Sequence, residues 1–97
     1  MNLKFEWDKE KAALNLKKHN VSFEEASTVF SDPFAFIFYD EEHSTPEEWR
    51  EIIIGHSHQN RLLLTCFVER IEDIIRIFSS RLATKRERKD YEEHAYF

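Results

Sequence analysis

The sequence predicts a small α+β fold of order β-α-α-β-β-β-β-α. An antiparallel β-meander packs against two N-terminal helices, and a C-terminal helix follows. Three observations predict it. Apolar residues recur at helical spacing through the first third of the chain and switch to a period of 2 from Phe34 onward. The connections HSHQN and RIED between the last three β-type runs are too short for a crossover, so those strands pair antiparallel. Finally, a T-x-x-E pattern at Thr84 and Glu87 restarts a helix after the last run.

Taken in order, Leu3 to Trp7 alternates Leu3, Phe5 and Trp7 with polar residues and reads as a short strand. Asp8 suits a helix N-cap, and KEKAALNLKKHN follows with Ala12, Ala13 and Leu16 on one stripe. Asn20 can adopt the left-handed conformation that ends this helix. Ser22 and Glu25 form a capping box, with Val21 and Ala26 as hydrophobic staple. Phe23, Ala26 and Phe30 then line a second short helix, stopped by Asp32-Pro33. Phe34–Tyr39, Trp49–Ser57, Arg61–Arg70 and Ile74–Ser80 are aromatic or β-branched runs, hence strands. With Gly55 the only glycine, Asn, Asp, His and Ser must supply the turns. In the third run Leu62, Leu64, Cys66 and Val68 share the face expected to pack on the helices, and Arg61, Leu63, Thr65, Phe67 and Glu69 share a mixed face. The final helix starts at Lys85 and runs to about Ala95.

Ninety-seven residues make one domain, 1–97, and nine phenylalanines argue for a packed globule. The charged first twenty residues lack the apolar core of a signal peptide, and the apolar runs are too short to span a bilayer. One cysteine, Cys66, excludes an internal disulfide and fits a reducing cytoplasm, with Cys66 as a core residue. Charge is uneven: residues 1–60 hold six Lys/Arg against twelve Asp/Glu, and residues 61–89 hold eight against four. The net charge of −5 therefore hides a basic segment able to meet phosphate, though a solvated charged face fits it too.

That segment ends in IIRIFSSRLATKRER, a strand running into a helix start. Lys85, Arg86, Arg88 and Lys89 occupy the first turns of that helix, where the macrodipole is already positive. Free backbone N–H groups point out there, so an anion would relieve both. Arg76 and Arg81 come from the strand, Arg61 and Arg70 from its neighbour, and guanidiniums bind phosphate in forked geometry. The plain alternative is that carboxylates of the same chain neutralise them. Glu69 beside Arg70 could act as general base, with arginines stabilising a negative transition state. Metal-free RNA cleavage needs a base for the 2′-OH, a stabiliser for the phosphorane and an acid for the leaving oxygen. Glu69, Arg70, Arg76 and Arg81 could meet the first two, while Tyr91, a histidine or an arginine could be the acid.

Other patterns carry less. His56-x-His58, with His43, resembles part of a metal site but has no completing ligand at the right spacing, so no metal or cofactor is expected. His19 follows Lys17-Lys18 at a helix C-terminus, where a cationic ring is favoured anyway. Phe34, Phe36 and Phe38 alternate as a base-stacking platform could, but core packing explains them more economically. A DNA-binding helix-turn-helix is disfavoured because SFEEASTVF is acidic where a recognition helix is basic or polar.

An ordered set of short stretches resembles the BrnT family, toxins of bacterial type II toxin–antitoxin pairs. The stretches are FEWD (5–8), Lys11, Asn15, KHNVSFEEA (18–26), VFSDP (29–33), DEEHS (40–44), EEWREIIIG (47–55), ER (69–70), IRIFSSRLAT (75–84) and RER with Tyr91. The resemblance implies a RelE-like fold and a metal-independent endoribonuclease that cuts RNA to halt translation and growth. It also implies a complex with a BrnA-type ribbon-helix-helix antitoxin. Carried over by position, Glu69, Arg70, Arg76 and Arg81 are the expected catalytic residues, and the basic corner adds Arg61, Lys85, Arg86, Arg88 and Tyr91 as expected RNA or phosphate contacts. Asn20 stands where the family pattern has glycine, and Phe78-Ser79-Ser80 replaces the commoner Ile-Ser-Ala. The competing reading is a non-catalytic module that uses residues 76–89 to hold an acidic partner.

Overall fold

The structure, a computed structural model, describes residues 3–71 and 73–95. Its elements are β1 (Lys4–Glu6), α1 (Lys9–His19), α2 (Phe23–Ser27) with a 3₁₀ turn (Thr28–Ser31), β2 (Phe36–Tyr39), β3 (Glu51–His56), β4 (Leu62–Glu69), β5 (Ile74–Leu82) and α3 (Lys85–Ala95). The expected order of elements is met. Asp8 accepts from the N–H groups of Glu10 and Lys11 at 2.8 and 3.0 Å, and Asn20 closes α1 at φ 57°.

The sheet runs β1-β5-β4-β3-β2. Strands β2 to β5 form the antiparallel meander, but β1 pairs parallel with β5, so the sheet is mixed. Two helices and three strands lie between β1 and β5, so connection length sets no direction there.

Helices cover both faces. On one, α1 and α2 bring Val21, Phe23 and Ala26 onto Ile53, Leu63, Phe67, Ile75 and Ile77, with Phe5, Trp7 and Phe30 at the margin. On the other, Tyr91 of α3 meets Ile54, Leu62 and Leu64, with Phe36, Ile52 and Cys66 alongside. This reverses the expected facing of β4: Leu63 and Phe67 point to the N-terminal helices, whereas Leu62, Leu64 and Cys66 point to α3. A strand buried on both sides is apolar at successive positions, so alternation cannot tell its faces apart.

The stripe expected on α1 is also displaced. Leu16 is exposed, and the buried residue is Asn15. Its amide donates to Val21 O at 3.0 Å and Ser80 O at 2.8 Å, and its Oδ1 accepts from Ser80 N at 3.1 Å. Strand β1 pairs only with Ile74–Arg76, so the β5 edge at Ser80 lacks a strand and Asn15 takes its place. Gly55 is needed for close approach: a Cβ there would meet Ala35 Cβ at 2.8 Å and Val29 O at 3.2 Å.

Helix α3 is anchored by Tyr91, which donates to Asp32 Oδ2 at 2.6 Å and lies 3.1 Å from His56 Nδ1. Burial and the Asp32 charge push the Tyr91 hydroxyl far above its usual range, so it stays protonated. Burial works to raise the Asp32 carboxyl, but donors from Tyr91, His56 N–H and Phe34 N–H outweigh it and hold it low.

Candidate active site

Between Cys66 and Phe67 the β4–β5 register shifts, leaving Phe78 as a bulged residue: Cys66 pairs with Ser79 but Phe67 with Ile77. Five residues apart, Arg76 and Arg81 would lie on opposite faces of a regular strand. The bulge puts both on one face, because Arg76 pairs with Val68 and Arg81 with Leu64. Across the sheet that face continues through Glu6, Cys66, Ile52, His56, Phe36 and Phe38. Arg76 and Arg81 stand four β4 residues apart, about 13 Å at ~3.3 Å per residue. Each is paired with its own carboxylate, Arg76 with Glu6 and Arg81 with Glu87.

At the Arg76 end three guanidiniums share two carboxylates. Arg76 bonds Glu6 at 3.0 Å, Arg70 reaches the same Glu6 oxygen at 3.6 Å and Glu48 at 3.9 Å, and Arg50 bonds Glu48 at 2.9 Å. Glu47 and Glu69 line one cavity with Arg70, Glu6 and Glu48, so carboxylates also crowd this end. Arg50 also lies 4.1 Å from the ring centroid of the bulged Phe78.

At the other end a groove of about 600 Å³ runs between β2 with its following loop and β5. Its walls include His19, Phe38, Asp40, His43, Cys66, Ser79, Arg81 and Glu87. Glu87 holds Arg81 in a fork at 2.8 and 3.0 Å, which raises the guanidinium pKa and lowers that of the carboxyl. The same carboxylate accepts from Thr84 N at 2.9 Å, while Thr84 Oγ1 accepts from Glu87 N at 3.2 Å. The capping box is therefore as expected, and Glu87 is itself the anion at this basic helix start. Opposite, Asp40 is buried and His43 Nδ1 lies 3.1 and 3.0 Å from its two oxygens. Burial pushes the Cys66 thiol up, so it stays protonated.

A family model described as ribonuclease toxin, BrnT, of type II toxin–antitoxin system matches residues 7–87. The chain belongs to the BrnT family. It is accordingly an endoribonuclease toxin of a type II system, a class that acts on RNA and is paired with an antitoxin, and the binding-module reading is set aside. The crystal structure of the Brucella abortus ribonuclease toxin, BrnT, is similar at a TM-score of 0.65 and 22% identity, over 87% of this chain and 100% of that one. That likeness concerns the fold. No curated protein sequence matches the chain. Among the described residues no helix is long and apolar enough to cross a membrane.

Within this BrnT chain the expected site residues divide. Arg70, Arg76 and Arg81 share the open face, and Lys85, Arg86 and Arg88 are exposed where α3 leaves it. Glu69 lines a cavity with Arg70, Glu6 and Glu48, but its place in the strand is on the other face. It pairs with Ile75 on the opposite face, where, after burial, its charge helps raise the Glu51 pKa. Arg61 is on that face too, bonded to the buried Glu25 at 2.9 Å and to Asn20 O at 3.0 Å, a strut for α2 and the α1 cap. Tyr91 is corrected from phosphate ligand to anchor, since its hydroxyl is buried against Asp32. His56 is tied to Tyr91 and His58 to Thr28. Phe36 is partly core, but Phe34 and Phe38 are 56% and 40% exposed, against the core reading of all three. Sequence reasoning missed Arg50 and the Asp40–His43 pair. The D-x-x-H spacing of DEEH was the available signal for the pair.

Proposed function

We propose that this BrnT chain cuts RNA on its open sheet face without a metal ion. The substrate's phosphates run from the Arg70–Arg76 cluster to Arg81, and Lys85, Arg86 and Arg88 extend the cationic rim. The observation that carries this reading is the Phe78 bulge, which turns Arg76 and Arg81 to the same side. Phosphate displaces Glu87 from Arg81, exchanging one forked anion for another. Arg81 then faces the charge that develops on the phosphorane, and exposed Phe38 offers a ring for a neighbouring base. Glu69, on the far face, has no part in it. The protein works in the cytoplasm, held inactive by a BrnA-type ribbon-helix-helix antitoxin encoded beside it.

The test is induction of wild type and of an Arg76→Ala/Arg81→Ala double variant in bacteria, with cleavage of purified RNA followed in parallel. Wild type arrests growth, and the double variant loses about 10²-fold or more in cleavage. Equal arrest by both removes this face from the mechanism. Cleavage that survives a chelator supports metal independence, and activity lost to the chelator and restored by Mg²⁺ refutes it. Co-purification with the adjacent gene product tests the antitoxin.

A further inference from the structure

Resting on the placement of RNA in the groove, we propose that His43 is the proton-transfer residue of cleavage and Asp40 its positioning residue. Asp40 directly follows β2 at 5% exposure and accepts from both the His43 backbone N–H, at 3.3 Å, and the ring Nδ1. A carboxylate only accepts, so Nδ1 is the donor in this contact, and in the neutral ring Nε2 is the acceptor. The ring is 61% exposed and lines the groove across from Ser79 and Arg81.

The loop that carries it is braced. Ser44 Oγ donates to Arg50 O at 3.1 Å and accepts from Arg50 N at 2.8 Å, and Thr45 and Glu48 bridge backbone to backbone. The imidazole is thus held at a fixed place over the sheet. Its titratable and charged neighbours around the groove are Tyr39 of β2, Asp40, Glu41 and Glu42 on its own loop, His19 of α1, Cys66 of β4, Arg81 of β5 and Glu87 of α3. Of these, Arg81 and Glu87 are paired with each other, and the protonated Cys66 thiol is no competing base. His43 alone among the groove's imidazoles is oriented by a buried carboxylate.

Nε2 takes the proton of a ribose 2′-hydroxyl as that oxygen bonds to the adjacent phosphorus. The bond from phosphorus to the 5′-oxygen breaks, and the leaving oxygen takes its proton from a water molecule. The resulting hydroxide recovers the proton held by the imidazolium. The products are a 2′,3′-cyclic phosphate and a 5′-hydroxyl, with Arg81 balancing charge on the non-bridging oxygens.

The experiment measures cleavage of a synthetic mixed-sequence single-stranded RNA from pH 5 to 9 by the purified chain and by His43→Gln, Asp40→Asn and Arg81→Ala. His43→Gln should lower kcat/KM by about 10²- to 10⁴-fold and lose the acid-side limb of the pH–rate profile. Asp40→Asn should lower kcat with little change in KM and displace that limb, which a merely structural role would not do. Imidazole in the buffer should partly restore His43→Ala. An RNA with 2′-deoxyribose throughout should resist cleavage, and this arm needs no variant to fold. Cleavage by His43→Gln within about threefold of wild type, with an unchanged pH profile, overturns the proposal; so does cleavage of the deoxy substrate. If Arg81→Ala alone fails, the groove stands and the imidazole assignment falls. If neither variant is affected, the placement of RNA in the groove falls with it.

Discussion

One carboxylate, Glu87, closes the cap of α3 and clasps Arg81, so the residue that starts the last helix also covers the cation nearest the groove. Glu87→Gln keeps the capping geometry and removes the competing charge. It should lower KM for RNA several-fold while changing stability by no more than about 0.5 kcal/mol, since the pair is partly exposed. Steady-state cleavage together with a thermal melt checks both. Asn15 shows a residue whose role the sequence hides. On α1 it looks like one more polar surface position, yet it satisfies a buried strand edge far along the chain. Asn15→Ala leaves the Ser80 amide and carbonyl without partners, for a loss of about 2 kcal/mol measurable by urea unfolding.

At the scale of elements, what local chemistry decides was legible. Caps at Asp8, Asn20, Ser22 and Thr84 and the change of apolar period place the strands and helix starts within a residue or two, although the second helix turns 3₁₀ from Thr28. What depends on distant pairing was not. The Phe78 bulge arises from the β4 register, and a strict period of 2 separates the arginines that the fold unites. The facing of β4 was equally hidden, because helices on both sides demand apolar residues at every step. The site was half legible: the arginines were, but the Asp40–His43 pair depends on how the loop after β2 folds back. Gly55 sits where the 3₁₀ turn and Ala35 press on β3, so Gly55→Ala should cost about 1–3 kcal/mol, read as a lowered melting temperature.

The molecule as a whole rests on carboxylates buried against their partners. The hydrogen bond from Arg61, with help from Ser57, holds Glu25 below its ordinary 4.5, and donors hold Asp32 below 3.8. As pH falls through that range the unfolded chain binds protons that the folded chain refuses. This stabilisation is complete above the ordinary carboxylate values and disappears as pH drops through the folded ones. Urea midpoints should therefore hold from pH 7 to about 5 and decline steeply toward pH 3, and Arg61→Ala should flatten the Glu25 share of that decline.

The two margins of the sheet are unlike. At one margin β5 is flanked by the three residues of β1 and by the Asn15 amide at Ser80, and at the other β2 (Phe36–Tyr39) has β3 as its neighbour in the sheet. Among the described residues the β2 edge spans four residues and the β1 edge three, so β2 presents the longer ladder to any added strand.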